Sequence, residues 1–162
     1  MERGISQWTV STRLHYHLRN IQRIENGTRQ PGVTLALRLV TAVGVNPGDF
    51  FQSLFEEIAE SLSCGEVLPT SRVEVAYWRP ELEEEVKCLF GPLLTQARLA
   101  GGVSQTAMAK QAGYNLRNVN AVEKGKQEPG VVSALCLVVA TGADIRSFFH
   151  HLHEFSTIPS EE

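Results

Sequence analysis

The sequence predicts an all-α protein built from two repeated helical units joined by a linker. Three observations predict it. Short segments carry apolar residues at three- and four-residue intervals, the helical period. Serine or asparagine precedes several of them, and glycine or proline closes or opens them, as at helix ends. Finally, the chain repeats itself. At an offset of 98 residues Gly4–Leu54 overlays Gly102–Leu152 without gaps, with about 21 of 51 positions identical.

Each repeat reads as four helices. Ser6 and Ser104, each followed by Gln, cap the first. In the second repeat Ala107, Met108, Ala109 and Ala112 form its apolar stripe, and Gly113 stops it. Asn115 caps the next helix, Leu116–Glu123, with Leu116, Val119 and Val122 as the buried side. In the first repeat His17 holds the cap position, and Leu18, Ile21 and Ile24 form the stripe. Gly27 and Gly125 end that helix, and Pro31 and Pro129 lead into a third. The third carries Val33, Leu37, Leu39, Val40 and Val43 in the first repeat, and Val131, Leu135, Leu137 and Val138 in the second. Gly44 and Gly142 terminate it, and a short last helix brings in Phe50, Phe51, Leu54 and Phe148, Phe149, Leu152. The domain layout expected is 1–60 for the first unit, 61–87 for the linker, 88–155 for the second unit and 156–162 for a tail.

Composition bounds the function. With 162 residues and 43% hydrophobic content the chain supports a packed core, which argues against global disorder. No run of eighteen apolar residues is present to span a membrane, and the start (MERGISQW) does not read as a secretory signal. Cys64, Cys88 and Cys136 lie far apart with no CxxC pair, which favours a reducing cytoplasm over a disulfide framework or zinc site. The net charge of −3 counts against a nucleic-acid partner, but its distribution does not. Met1–Arg38 holds six Arg against Glu2 and Glu25, and Arg98–Lys126 holds five basic residues against Glu123, a local +4 in each. The acids gather at Glu56, Glu57 and Glu60, at Glu81 and Glu83–Glu85, and at the C-terminus. Two basic patches on an acidic background suit local binding to DNA.

The run S-Q, a small residue near Ser11 or Ala109, then L-R-N-[IV]-x-x-[IV]-E-x-G-x-x-x-P resembles the Cro/C1-type (XRE family) helix-turn-helix of phage repressors. The resemblance covers nearly all of both repeats and implies two lambda-repressor-like helix-turn-helix units. Two departures matter. The residue opening the turn is Gly113 in the second repeat but His15 in the first. The family's first helix is matched by Phe90, Leu93, Leu94, Ala97 and Leu99 in the second repeat, whereas Ser6 of the first stands only five residues after Met1. Apolar surface on the first unit, with Trp8 added to it, is therefore expected to be uncovered. A shortened product, a linker that packs back, and a second chain each account for this.

The resemblance assigns the second helix of each motif to the major groove, where N-terminal side chains reach base edges. The base-reading positions are then Arg19, Asn20, Gln22 and Arg23 in the first repeat and Arg117, Asn118 and Asn120 in the second. Arg bonds guanine O6 and N7 together, and Asn or Gln does the same for adenine N6 and N7. A merely solvated helix face is also polar, but it usually carries early acids, and neither helix does before Glu25 or Glu123. The resemblance gives those two Glu a structural ion pair, with Arg13 as partner in the first repeat and Lys110 or Arg98 in the second. Gln7 and Gln105, at helix starts, are expected to position phosphate, as are Arg29, Lys124 and Lys126.

Other features read as structural. His150, His151, His153 and Glu154 do not make a four-ligand metal set, and no cofactor is implied. Val132, Cys136 and Val139 fall at i, i+4 and i+7 where the first repeat has Thr34, Arg38 and Thr41. This extra apolar stripe is expected to be an interface with the other unit or a second chain, and a homodimer is the expected assembly. Val73–Trp78 in the linker reads as a short strand or extended packing segment, with Tyr77 and Trp78 docking, and a helix starts at Pro80. No catalytic constellation stands on a suitable frame, so no enzyme is expected. The function expected is sequence-specific binding of double-stranded DNA by a transcriptional regulator, a repressor before an activator, in the cytoplasm at the nucleoid. The alternative is a protein-interaction adaptor or antitoxin-like module in which one or both reading helices no longer touch DNA.

Overall fold

The structure, a computed structural model, describes residues 5–63 and 80–157, and of these the side chains of 5–60 and 89–154. The strand expected at Val73–Trp78, the docking of Tyr77 and Trp78, and the C-terminal acids lie outside the described residues. The described residues are all-α, as the sequence predicts. Nine helices form: α1 Gln7–Leu14, α2 Leu18–Glu25, α3 Val33–Ala42, α4 Pro47–Ser63, α5 Pro80–Ala100, α6 Gln105–Gln111, α7 Leu116–Glu123, α8 Val131–Thr141 and α9 Ile145–Thr157. Among the described residues no strand accompanies them, only an isolated antiparallel bridge between Gly32 and Gly130. Among the described residues no single helix is long and apolar enough to cross a membrane.

The repeat in the sequence is a repeat in the fold, since α6–α9 start 98 residues after α1–α4. The same local chemistry starts them. The Ser6 hydroxyl accepts from the Thr9 amide and the Ser104 hydroxyl from the Ala107 amide, both at 3.1 Å. Asn115 accepts from the Arg117 amide at 2.8 Å, whereas His17 makes no side-chain cap. Asn46 and Asp144 cap the last helices through the Asp49 and Ser147 amides. The left-handed turn after α6 is taken by Gly113 at φ 61°, but after α1 by His15 at φ 50°, the only non-glycine with positive φ among the described residues. A side chain there is strained where glycine is not. His15→Gly is therefore expected to raise stability by about 0.5–1 kcal/mol in chemical denaturation.

The repeats do not fold as isolated units. One core runs through α3, α4 and α5–α9, taking in Val33, Leu37 and Phe51 from the first repeat with Phe90, Leu94, Met108, Val119, Leu135 and Phe149. A small second cluster, Val10, Leu14, Tyr16 and Ile21, holds α1 on α2. The contacts between repeats are reciprocal. The Val33 amide donates to the Pro129 carbonyl at 3.2 Å, and the Val131 amide donates to the Pro31 carbonyl at 3.3 Å. Phe51 stacks on Phe149, its own counterpart, with ring centroids 4.0 Å apart. Phe51 and Gly32 each meet the residue 98 positions away, and the two amide bonds are exchanged reciprocally about them, the signature of a two-fold relation. α4 lies along α9 on the same axis. The Glu128 carboxylate adds an unsymmetrical tie. It accepts the Thr34 amide at 2.8 Å and so supplies the α3 N-terminus with the cap that Gly32 lacks.

Helix α5 lies between the repeats in sequence. It packs on α7, α8 and α9 and also touches α3, and Gly91 and Gly101 let it approach. A methyl group on Gly91 would come within 2.5 Å of the Val122 carbonyl, and one on Gly101 within 2.2 Å of the Thr141 carbonyl. Among the described residues the first repeat has no such cover. Phe148 is 5% exposed against 37% for its counterpart Phe50, and Thr141 1% against 38% for Val43. The uncovered apolar surface expected from the sequence is thus present, and Trp8, 69% exposed, adds to it.

Several assignments need correction. Val43, read as core, is exposed because its cover is missing. Leu99 and Leu116, also read as core, are exposed. Leu99 lies nine residues beyond Phe90, half a helical turn round from the buried side, and Leu116 is the first residue of α7, outside the packed turn. Arg13 does not pair with Glu25. Its guanidinium donates to the Ala42 carbonyl at 2.6 Å, where α3 leaves carbonyls free. The last helix of each repeat is also longer than the short one expected.

Candidate nucleic-acid interface

Helix α2 turns Arg19, Gln22 and Arg23 outward, exposed, with Asn20 half-buried at its flank. The cause is the 3.6-residue period. Ile21 is buried and Ile24 half-buried, so residues on the opposite side face solvent. Helix α7 does the same with Val119 and Val122 buried, Arg117 exposed, and Asn118 and Asn120 half-buried. All three arginines predicted to read bases, Arg19, Arg23 and Arg117, are therefore exposed.

The acids closing these helices are held differently in the two repeats. Arg98 Nε donates to Glu123 Oε1 at 2.6 Å and its Nη2 to Oε2 at 3.3 Å, with both side chains nearly buried. The sequence left Lys110 or Arg98 as the partner, and it is Arg98. Gln105 also donates to Glu123. In the first repeat Gln7 donates to Glu25, with no counterpart of Arg98 among the described residues. Glu123 thus holds its repeat together through an ion pair, as the resemblance implies, whereas the exposed Glu25 takes the neutral Gln7 amide in place of the expected Arg13.

Gln7 and Gln105, expected to position phosphate, sit at the N-terminal ends of α1 and α6 with their amides tied to these Glu. Gln22 donates to the Gln7 side-chain oxygen at 3.4 Å, linking a predicted phosphate residue to a predicted base reader. Arg29 donates to Asn20 Oδ1 at 3.3 Å and so lies beside α2. Lys124, the C-cap residue of α7, and Lys126 beyond it are exposed. The structure thus gathers the first-repeat residues on and around α2, and the second-repeat residues on and around α7.

The predicted interface stripe divides. Val132 packs on the core and Cys136 is half-buried, while Val139 opens to solvent. Burial pushes the Cys136 thiol above its ordinary pKa, so it packs as a neutral group. Thr34, the counterpart of Val132, is itself buried beside the repeat–repeat contact. Sequence reasoning missed Glu128, the residue that caps α3 from the other repeat. Its counterpart is Gln30, and nothing in either segment signals a partner 94 residues away. His150 lies 3.4 Å from Glu154, and among the described residues no three His, Cys, Asp or Glu side chains converge as metal ligands. Compared with protein-family models, curated proteins and solved structures, the chain gives no match.

Proposed function

We propose that this protein binds double-stranded DNA in a sequence-specific way and regulates transcription, most simply by occupying a site that polymerase needs. Helices α2 and α7 lie in the major groove. Arg19, Asn20, Gln22 and Arg23 read one stretch of bases, and Arg117, Asn118 and Asn120 read another. Gln7, Gln105, Arg29, Lys124 and Lys126 hold the phosphates beside them. One observation carries this reading: two helices with the same Arg-Asn pair, each with its Arg exposed, belong to repeats joined by reciprocal main-chain bonds, with Glu123 held by Arg98 and Glu25 by Gln7. The two-fold pairing that such proteins commonly obtain from a second chain exists within this one.

The test is selection from a random pool of duplexes with the full chain, followed by a salt titration on the winning site. An enriched motif is expected, with log affinity falling steeply and linearly against log salt, by about 0.9 per phosphate neutralised. An unenriched pool would end the proposal.

A second reading has its own observation. The uncovered face of Phe50, Val43 and Trp8 suits a protein-interaction role for the first repeat, alone or beside DNA binding by the second. Retained duplex affinity after Arg19→Ala, combined with loss after Arg117→Ala, would favour that mixed arrangement.

A further inference from the structure

We infer that the site is an imperfect inverted repeat, bound by a single chain in one orientation only, and that Arg23 against Ala121 sets the orientation. This rests on the duplex-binding reading above and goes beyond it.

The first step is geometric. The paired amides of Val33 and Val131, the bridge of Gly32 to Gly130 and the Phe51–Phe149 stack relate the repeats by a two-fold axis. A duplex has local two-fold axes perpendicular to its length. Two helices related by such an axis enter the groove on opposite strands, so their half-sites are inverted rather than direct repeats. Buried side chains and main-chain hydrogen bonds set the relation of α3 and α4 to the second repeat, and the smaller cluster with Ile21, Leu35 and Leu39 ties α2 to α3, so the half-sites keep a preferred spacing.

The second step is chemical. The reading helices agree at Leu18-Arg19-Asn20 and Leu116-Arg117-Asn118, so the two half-sites share the bases reached by the first turn. They differ one turn further on. Arg23 stands four residues after Arg19, exposed and on the same face, whereas its counterpart Ala121 is half-buried and short. Arg favours guanine at the base it reaches, and a methyl group favours at most thymine. Gln22 against Asn120 and Asn26 against Lys124 widen the difference. A homodimer of identical chains has two equivalent orientations on its site. This chain does not, because reversing it puts Arg23 over the wrong base.

The experiment is the same selection, now read for symmetry, with the wild type, Arg23→Ala and Ala121→Arg. Wild type is expected to yield an inverted repeat whose halves agree at the first-turn bases and differ at one position or more. Reversing the asymmetric position is expected to cost roughly five- to a hundredfold in affinity. Arg23→Ala is expected to weaken that preference and to remove the guanine preference from the base that Arg23 reaches, so that the first half becomes more like the second there. Ala121→Arg, a change on the other helix, should bring guanine into the second half at the matching base and so make it more like the first there. Sedimentation of the complex is expected to give one chain per site. A direct repeat, a fully symmetric wild-type motif, unchanged preference in both variants, or two chains on one site would overturn this inference while leaving duplex binding intact. A pool with no enriched motif would instead remove the proposed function, and this inference with it.

Discussion

Replacing Phe149 with alanine is expected to lower the stability of the whole chain by about 3–5 kcal/mol. The ring is fully buried, stacked on Phe51 and edge-on to Phe148 at 5.4 Å. Its removal leaves a cavity where the two repeats meet. The cost falls on both repeats because α3, α4 and α9 share this core. Denaturant unfolding is expected to remain a single transition that shifts as a whole. Early, separate melting of the second repeat would mean that the repeats are coupled less tightly than the packing implies.

The Arg98–Glu123 pair carries the second large effect. Arg98→Ala leaves a nearly buried carboxylate with Gln105 as its remaining side-chain donor, and a loss of about 3 kcal/mol is expected. The arginine also holds the Val103 carbonyl at 3.0 Å, so α5 loses its anchor to the start of α6. Replacing both partners with apolar residues of similar size should recover most of the loss, because the penalty comes from the stranded charge rather than the missing bond. The double variant Arg98→Met, Glu123→Leu checks this by thermal unfolding. A double variant as unstable as the single one would assign the effect to α5 packing instead.

Much of the architecture was legible in residues. Ser6, Ser104 and Asn115 cap helices because their side-chain oxygens reach amides two or three residues on. Gly27, Gly44, Gly113, Gly125 and Gly142 follow helices at positive φ, where other residues are strained. The faces of α2 and α7 followed from Ile21, Val119 and Val122. What one residue does to another far along the chain was not legible. Periodicity shows that a side is apolar, but it does not say what covers it. Leu137 is buried under its cover, while its counterpart Leu39 is only half-buried. Arg13 and Arg98 were both reasonable partners for a glutamate, yet the free carbonyl of Ala42 takes the first and Glu123 the second. The reciprocal Val33–Pro129 and Val131–Pro31 bonds are main-chain contacts that no side-chain pattern announces.

The reading of α2 and α7 as the helices that meet bases is tested most directly by Arg19→Ala and Arg117→Ala on the selected duplex. Both side chains are exposed, so folding should survive each change, with an unaltered melting temperature as the control. Each is expected to weaken specific binding by roughly ten- to a hundredfold while affinity for a scrambled duplex falls much less. Equal affinity for the selected duplex in wild type and both variants would contradict the account.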